Sequence, residues 1–165
     1  MNTLVVYFSK FGHTQKVAET IAEEIESVGP VRLLSSDQIM ASDLENVDLL
    51  VMGSPTHRMN LPEAVRPVFE RLPKRILRGK PVAVFDTSYK MSPILERFTA
   101  AKKLAQKLRK LGGKRIVPPE TFYVEGREGP LYDGEIERAR EWSRIILERL
   151  DGKGELLLNR NLRNR

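Results

Sequence analysis

Three short polar segments carry most of the chemistry this chain can offer. They are Ser9-Lys10-Phe11-Gly12-His13-Thr14, then Gly53-Ser54-Pro55-Thr56-His57-Arg58-Met59-Asn60, then Asp86-Thr87-Ser88-Tyr89-Lys90. In the first, Ser9 and Thr14 bring hydroxyls and Gly12 lets the backbone approach a ligand closely. A helix begins directly afterwards, and the free N–H groups and dipole of its first turn favour an anion. The segment is therefore built as a phosphate cradle that needs no basic side chain. Lys10 and Lys16 either assist it or sit in solvent, and the same residues also suit an ordinary strand–helix connection with Ser/Thr capping. Both histidines of the chain, His13 and His57, fall in these segments. An imidazole titrates near neutrality, so His57 is a candidate proton donor to a bound group. No carboxylate or second histidine stands at metal-ligand spacing, so no metal site is expected.

The elements that must position these segments alternate along the chain. Leu4 to Phe8 is an apolar run of strand length, the pattern of a strand buried on both faces. Thr14 to Val28 carries Val17, Ala18, Ile21, Ala22 and Ile25 at helical spacing, ended by Gly29-Pro30. Val31 to Leu34 predicts a second strand, Ser42 to Glu45 a brief capped helix and Val47 to Met52 a third strand. Leu61 to Leu72 reads as a helix with Pro62 in its first turn, which is tolerated, and Pro67 inside it, which should kink or break it. Pro81 to Phe85 is a fourth strand and Pro93 to Leu111 a long amphipathic helix stopped by Gly112-Gly113. Ile116 to Val124 contains a fifth strand interrupted by Pro118-Pro119, and Gly134 to Leu150 is the last helix. Residues 151–165 read as a tail whose Asn and Arg content suggests poor order, with Leu156-Leu157-Leu158 able to dock.

This alternation predicts one α/β domain over residues 1–150, a doubly wound parallel sheet with helices on both faces. In such a sheet ligands sit at the carboxyl ends of the strands, where strand order reverses. That is where the segments after strands one, three and four meet.

Composition narrows the function. The chain has 165 residues and no cysteine, which excludes disulfides, thiolate metal sites and thiol nucleophiles. Its start is not a secretory signal, and no apolar stretch reaches the ~20 residues of a membrane span, so a cytoplasmic protein is expected. The net charge of +6 invites a nucleic-acid reading. Most charges are interleaved with acids along helices, however, as in Glu135, Glu137, Arg138, Arg140 and Glu141, the pattern of a solvated face. The denser patches, Lys102-Lys103, Lys107, Arg109-Lys110 and Lys114-Arg115, suit a docking face for an acidic protein better than direct nucleic-acid binding.

The first segment, in Val6-Tyr7-Phe8-Ser9-Lys10-Phe11-Gly12-His13-Thr14, resembles the FMN phosphate loop of flavodoxins. Ser9, Gly12 and Thr14 match that family's pattern. Phe11 and His13 depart from it, and the Gly-His-Thr form is closer to flavodoxin-like NAD(P)H:quinone reductases and the flavodoxin domains of A-type flavoproteins. Gly53-Ser54-Pro55-Thr56 resembles the start of the loop beside the isoalloxazine ring, with His57 and Met59 as the residues flanking it. Asp86 to Lys90 resembles the loop on the other ring face, with Tyr89 to stack on the flavin.

Further likeness to stand-alone flavodoxins and archaeal domains lies in Val124-Glu125-Gly126 and Gly129 to Ala139, so the resemblance spans about residues 3 to 150. It implies a flavodoxin-like five-stranded sheet in the order 2-1-3-4-5. It also implies an FMN site formed by Ser9, Lys10, Phe11, Gly12, His13, Thr14, Ser54, Pro55, Thr56, His57, Arg58, Met59, Asn60, Thr87, Ser88 and Tyr89.

Two expectations concern the ring end. Arg58 and Lys90 are the cations of the ring loops and Asp86 the one obvious acid, so an anionic reduced flavin should meet less penalty than in strongly acidic flavodoxins. Flavodoxins often place glycine in the loop after Thr56, so that a peptide can flip toward the reduced ring. None lies between Thr56 and Asn60, which leaves Asn60 as the residue best able to take a positive φ there.

Other α/β classes are excluded. A receiver domain needs an acidic pair after strand one and an Asp after strand three, where this chain has Phe8-Ser9 and Met52-Gly53. A dinucleotide-binding Gly-x-Gly-x-x-Gly after strand one is missing too. What is left is an electron carrier with a redox partner protein, acidic by charge complementarity, as monomer or dimer. The alternative is a reductase using NAD(P)H and a quinone or flavin. Short connections favour the carrier, while the Gly-His-Thr loop and basic charge lean toward the enzyme.

Overall fold

The computed structural model describes the backbone of residues 1–162 and the side-chain surroundings of residues 1–152. Strands β1 (Thr3–Tyr7), β2 (Val31–Ser35), β3 (Leu49–Pro55) and β4 (Pro81–Ser88) pair in parallel in the order β2-β1-β3-β4. The outer edge of β4 is shared by two short parallel strands, β5 (Lys114–Arg115) beside Pro81-Val82 and β6 (Glu120–Tyr123) beside Phe85–Ser88. The expected single fifth strand is thus split. Proline has no N–H to give to the ladder, and Pro118-Pro119 sits in the gap. The order is the expected 2-1-3-4-5, with one extra strand.

Alternate residues of the central strands point to opposite faces. Leu4, Val6, Leu50, Met52, Val82 and Val84 face one layer, where they meet Val68 of helix α2 (Arg66–Arg71) and Leu104 and Leu108 of α3 (Ala100–Lys110). Val5, Leu49, Val51, Ala83 and Phe85 face the other, against Val17 and Ile21 of α1 (His13–Glu26) and Ala139, Trp142 and Ile146 of α4 (Glu135–Leu162). Each such fully buried aliphatic or Phe side chain contributes about 1.5–3 kcal/mol. Phe85, Phe122 and Trp142 meet edge to face with centroids 5.9, 6.1 and 6.2 Å apart, joining β4, β6 and α4.

Four expected boundaries move. Pro67 marks the expected break: a 3-10 turn covers Glu63–Val65, and α2 starts afresh at Arg66 with Pro67 in its first turn, where no N–H is missed. The long helix expected over Pro93–Leu111 divides at Thr99, which is extended (φ −71°, ψ 159°), into a 3-10 turn Leu95–Phe98 and α3. The segments expected as loops from Gly53 and Asp86 begin inside strands, because β3 and β4 continue their pairing through Ser54–Asp86 and Pro55–Thr87. Helix α4 runs to Leu162, past Leu150, so residues 151–162 are helical backbone. Residues 163–165, and the docking expected of Leu156-Leu157-Leu158, lie outside what is described. Among the described residues no helix is long and apolar enough to cross a membrane.

Candidate cofactor site

A cleft of about 600 Å³ opens at the carboxyl ends of β1, β3 and β4. The chain ends of these strands supply its floor and the connections after them its walls.

The first wall begins where β1 ends. Gly12 takes a left-handed conformation (φ 88°) that L side chains rarely adopt, and α1 starts at the next residue. The Ser9 hydroxyl accepts the Gly12 N–H at 3.0 Å, which folds the turn back on itself. No side chain caps α1, so its first-turn N–H groups are left for a ligand. Thr14 is buried at the base, its hydroxyl paired at 2.8 Å with that of Thr87 on β4. Lys10 lies over the Phe11 ring at 5.3 Å. His13 donates from Nε2 to the Glu128 carbonyl at 2.6 Å, and a side chain at Gly129 would collide with its ring. His13 therefore clasps the segment between β6 and α4 onto the cleft.

The second wall is a tight turn. His57 and Asn60 exchange backbone hydrogen bonds, each 2.9 Å, around Arg58 (φ 49°) and Met59 (φ 57°). Two positive φ values at the centre define the hairpin turn that usually takes Asn-Gly. The expected conformation of Asn60 is thus corrected: the strain falls on Arg58 and Met59. Lys103 of α3 holds the turn, its Nζ donating to the Met59 carbonyl (3.1 Å) and to Asn60 Oδ1 (2.9 Å). Thr56, which precedes the turn, is tied down three times. Its N–H donates to the Thr87 carbonyl, its hydroxyl donates to Asp86 Oδ2, and that hydroxyl accepts the Ala100 N–H, all at 2.8 Å.

Of the expected site residues, Ser9, Lys10, Phe11, His13, Thr14, Pro55, Thr56, His57, Arg58, Thr87, Ser88 and Tyr89 line the cleft. Gly12 lines a smaller hollow beside it, toward α4. Ser54 is fully buried within β3. Met59 and Asn60 face outward and toward Lys103. Two ring-end expectations also change. Asp86 is not a charge beside the cleft but a buried carboxyl. Its Oδ2 accepts from Thr56 and from the Ala101 N–H (2.9 Å), its Oδ1 has no partner, and burial pushes its pKa up. Lys90 turns away, lying 4.2 Å over the Tyr132 ring.

Phe8, Pro62, Glu63, Val124 and Arg127 line the cleft without having been singled out. Arg127 comes from the segment His13 clasps, and only the Gly-rich punctuation around it hinted at a ligand-facing turn. The lining holds Lys10, Arg58 and Arg127 against the single acid Glu63, a balance that suits an anionic ligand.

The fit to FMN is good on the chain's own geometry. A backbone cradle at a helix N-terminus meets a phosphate, and a largely apolar cleft of this size meets a flat ring system, with Tyr89 43% exposed at its rim.

Comparison with known proteins agrees. The flavodoxin family model matches residues 5–142. A flavodoxin from Maridesulfovibrio salexigens is 28% identical over 132 residues, covering 75% of this chain and 86% of its own length. Among solved structures, a flavodoxin from the domain Archaea superposes with a TM-score of 0.73 at 20% identity, covering 92% of this chain and 99% of that one. The rubredoxin oxygen:oxidoreductase of Desulfovibrio gigas superposes with a TM-score of 0.72 at 20% identity, covering 92% of this chain but 36% of that one. These two establish likeness of fold. The family match extends over most of the chain, and the chain belongs to the flavodoxin family, with FMN as its cofactor.

Proposed function

We propose that this protein is a cytoplasmic electron carrier whose residues 9–14 hold the FMN phosphate and whose His57–Asn60 turn and Tyr89 flank the ring. The observation that carries this reading is the convergence of the uncapped α1 terminus, the Thr56–Arg58 segment and Thr87–Tyr89 on one cleft. When bound, the flavin supplies the redox chemistry; the protein binds, orients and tunes it.

The backbone N–H groups after Gly12 receive the phosphate, and the Thr14–Thr87 hydroxyl pair stands beneath them. Arg127 and Lys10 add positive charge at the cleft. Pro55, Thr56 and Tyr89 shape the ring end, and the rigid tie of Thr56 to β4 and α3 fixes the width of that end. His57 stands in the lining with its ring available to hold or pass a proton. The connections are short and the described residues carry no added wall against the cleft for a nicotinamide, which favours a carrier over a reductase.

The test is direct. The purified protein should be yellow, release FMN and not FAD, and rebind FMN with quenching of flavin fluorescence. Tyr89→Ala should weaken that binding about tenfold, the scale of one aromatic contact plus its buried area. Steady oxidation of NADH or NADPH with a quinone would replace the carrier reading with the reductase one.

A further inference from the structure

Residues 97–115 hold eight of the chain's 28 lysines and arginines and none of its 22 acids. The rest of the chain sums to slightly net acidic, so residues 97–115 are the largest acid-free basic segment, and residues 71–80, with five cations and no acid, are the next. Helix α3 carries Lys102, Lys103, Lys107, Arg109 and Lys110 with no acid among them, and β5 continues the patch with exposed Lys114 and Arg115.

The N-terminal end of α3 abuts the turn that walls the cleft. Lys103 bonds the Met59 carbonyl, and Lys102 Nζ donates to the Glu96 carbonyl at 2.9 Å. The segment that leads into α3 is a ridge of unusually exposed apolar side chains, Ile94 (70% exposed), Phe98 (52%) and Leu95 (39%), and Met59 (42%) is exposed in the turn that Lys103 holds. The break at Thr99 creates the ridge, because residues 94–98 turn away from the core instead of continuing α3. Glu96, the one acid within the ridge, is half-buried and accepts from the Tyr123 hydroxyl at 3.0 Å, so its charge is engaged inward. Glu63, in the 3-10 turn after the His57–Asn60 turn, is paired with Arg66.

From this arrangement, and resting on the carrier reading above, we infer that the Ile94–Phe98 ridge with its Arg97 and Lys102 rim is the dock for an acidic redox protein. An apolar centre within a charged rim is the anatomy of a transient protein interface. The cations steer an acidic partner and set its orientation, while the ridge supplies the contact that survives salt. A nucleic acid would use the basic row of α3, but of the ridge only Phe98 offers a base a stacking surface, and aliphatic Ile94, Leu95 and Met59 suit a protein contact instead.

The probes are a small acidic [2Fe–2S] ferredoxin, a basic c-type cytochrome and a DNA oligonucleotide, each titrated calorimetrically into the FMN-loaded chain at low and at high salt. The ferredoxin should bind and weaken with salt; the cytochrome should not bind. Arg97→Glu with Lys102→Glu should reduce ferredoxin affinity at low salt about tenfold or more and flatten the salt slope. Ile94→Ser with Phe98→Ser should reduce affinity at both salts and leave the slope as it was. Arg140→Glu with Arg149→Glu, on α4 at the opposite face of the sheet, should change neither. Absent ferredoxin binding, equal binding of the cytochrome, insensitivity to the first two variants, or tighter binding of the oligonucleotide each overturns the inference. An FMN titration on every variant, and the ferredoxin titration repeated without FMN, keep loss of the cofactor site distinguishable from loss of the dock.

Discussion

Arg58 carries two burdens, a positive φ and a positive charge in the lining of the cleft. They separate experimentally. Arg58→Glu replaces attraction by repulsion for a reduced, anionic flavin, so the midpoint potential should fall by on the order of 30 mV or more in a potentiometric titration. An unchanged potential would show that the guanidinium does not reach the ring. The backbone burden is tested next door. Met59→Gly puts into the second αL position of the turn the residue it ordinarily takes, and should stabilise the fold by about 1 kcal/mol in denaturant unfolding. The cleft lining was mostly legible at this scale because the three polar segments stand at the ends of apolar runs, where strand order places them together. Arg58 and Met59 were passed over in favour of Asn60 as hosts of the positive φ because nothing local favours αL there. Lys103, 43 residues beyond Asn60, supplies the grip. Arg127 was missed for a similar reason: its place depends on His13 and Glu128 meeting across the fold.

Asp86 works between elements. Its carboxyl receives the Thr56 hydroxyl from the end of β3 and the Ala101 N–H from the start of α3, so one buried group sets both the cleft wall and the α3 terminus. Burial favours its neutral form and raises its pKa above the usual 3.8. The folded chain therefore holds this proton more tightly than the unfolded chain. The stabilisation is complete below about pH 4 and is lost as pH rises from there through the folded value. Asp86→Asn keeps the accepting oxygen and removes the charge. Its melting temperature should exceed the parent's at neutral pH, with the gap closing near pH 4. Asp86→Leu should instead cost about 2–3 kcal/mol, because two buried donors lose their acceptor. At this scale the pattern of apolar runs predicted every main strand and helix. It failed where a distant partner overrides local periodicity: Thr99 leaves a helical pattern so that Ala100 and Ala101 can be capped by Thr56 and Asp86.

For the whole molecule, cofactor and fold share one free energy. Walls built from β1, β3, β4 and the segment clasped by His13 must all be in place before FMN binds, so free FMN at 100 times its dissociation constant should add about 2.7 kcal/mol to unfolding. Thermal melts at rising FMN should show it, and Gly129→Ala, which forces His13 off the Glu128 segment, should blunt the rise. The division of the outer edge of β4 between β5 and β6 has a different consequence, for behaviour at high concentration. An open sheet ends in a row of unpaired N–H and C=O groups on which another chain can add a strand. Here that row is cut short. Its middle is Pro118-Pro119, which has no hydrogen to donate, and β5 is two residues long and bears the paired cations Lys114 and Arg115. The margin of the molecule is thus closed to fibril growth from this side. Replacing Pro118 and Pro119 by Val and Thr should lengthen the strand and turn a clear, concentrated solution into one that binds thioflavin.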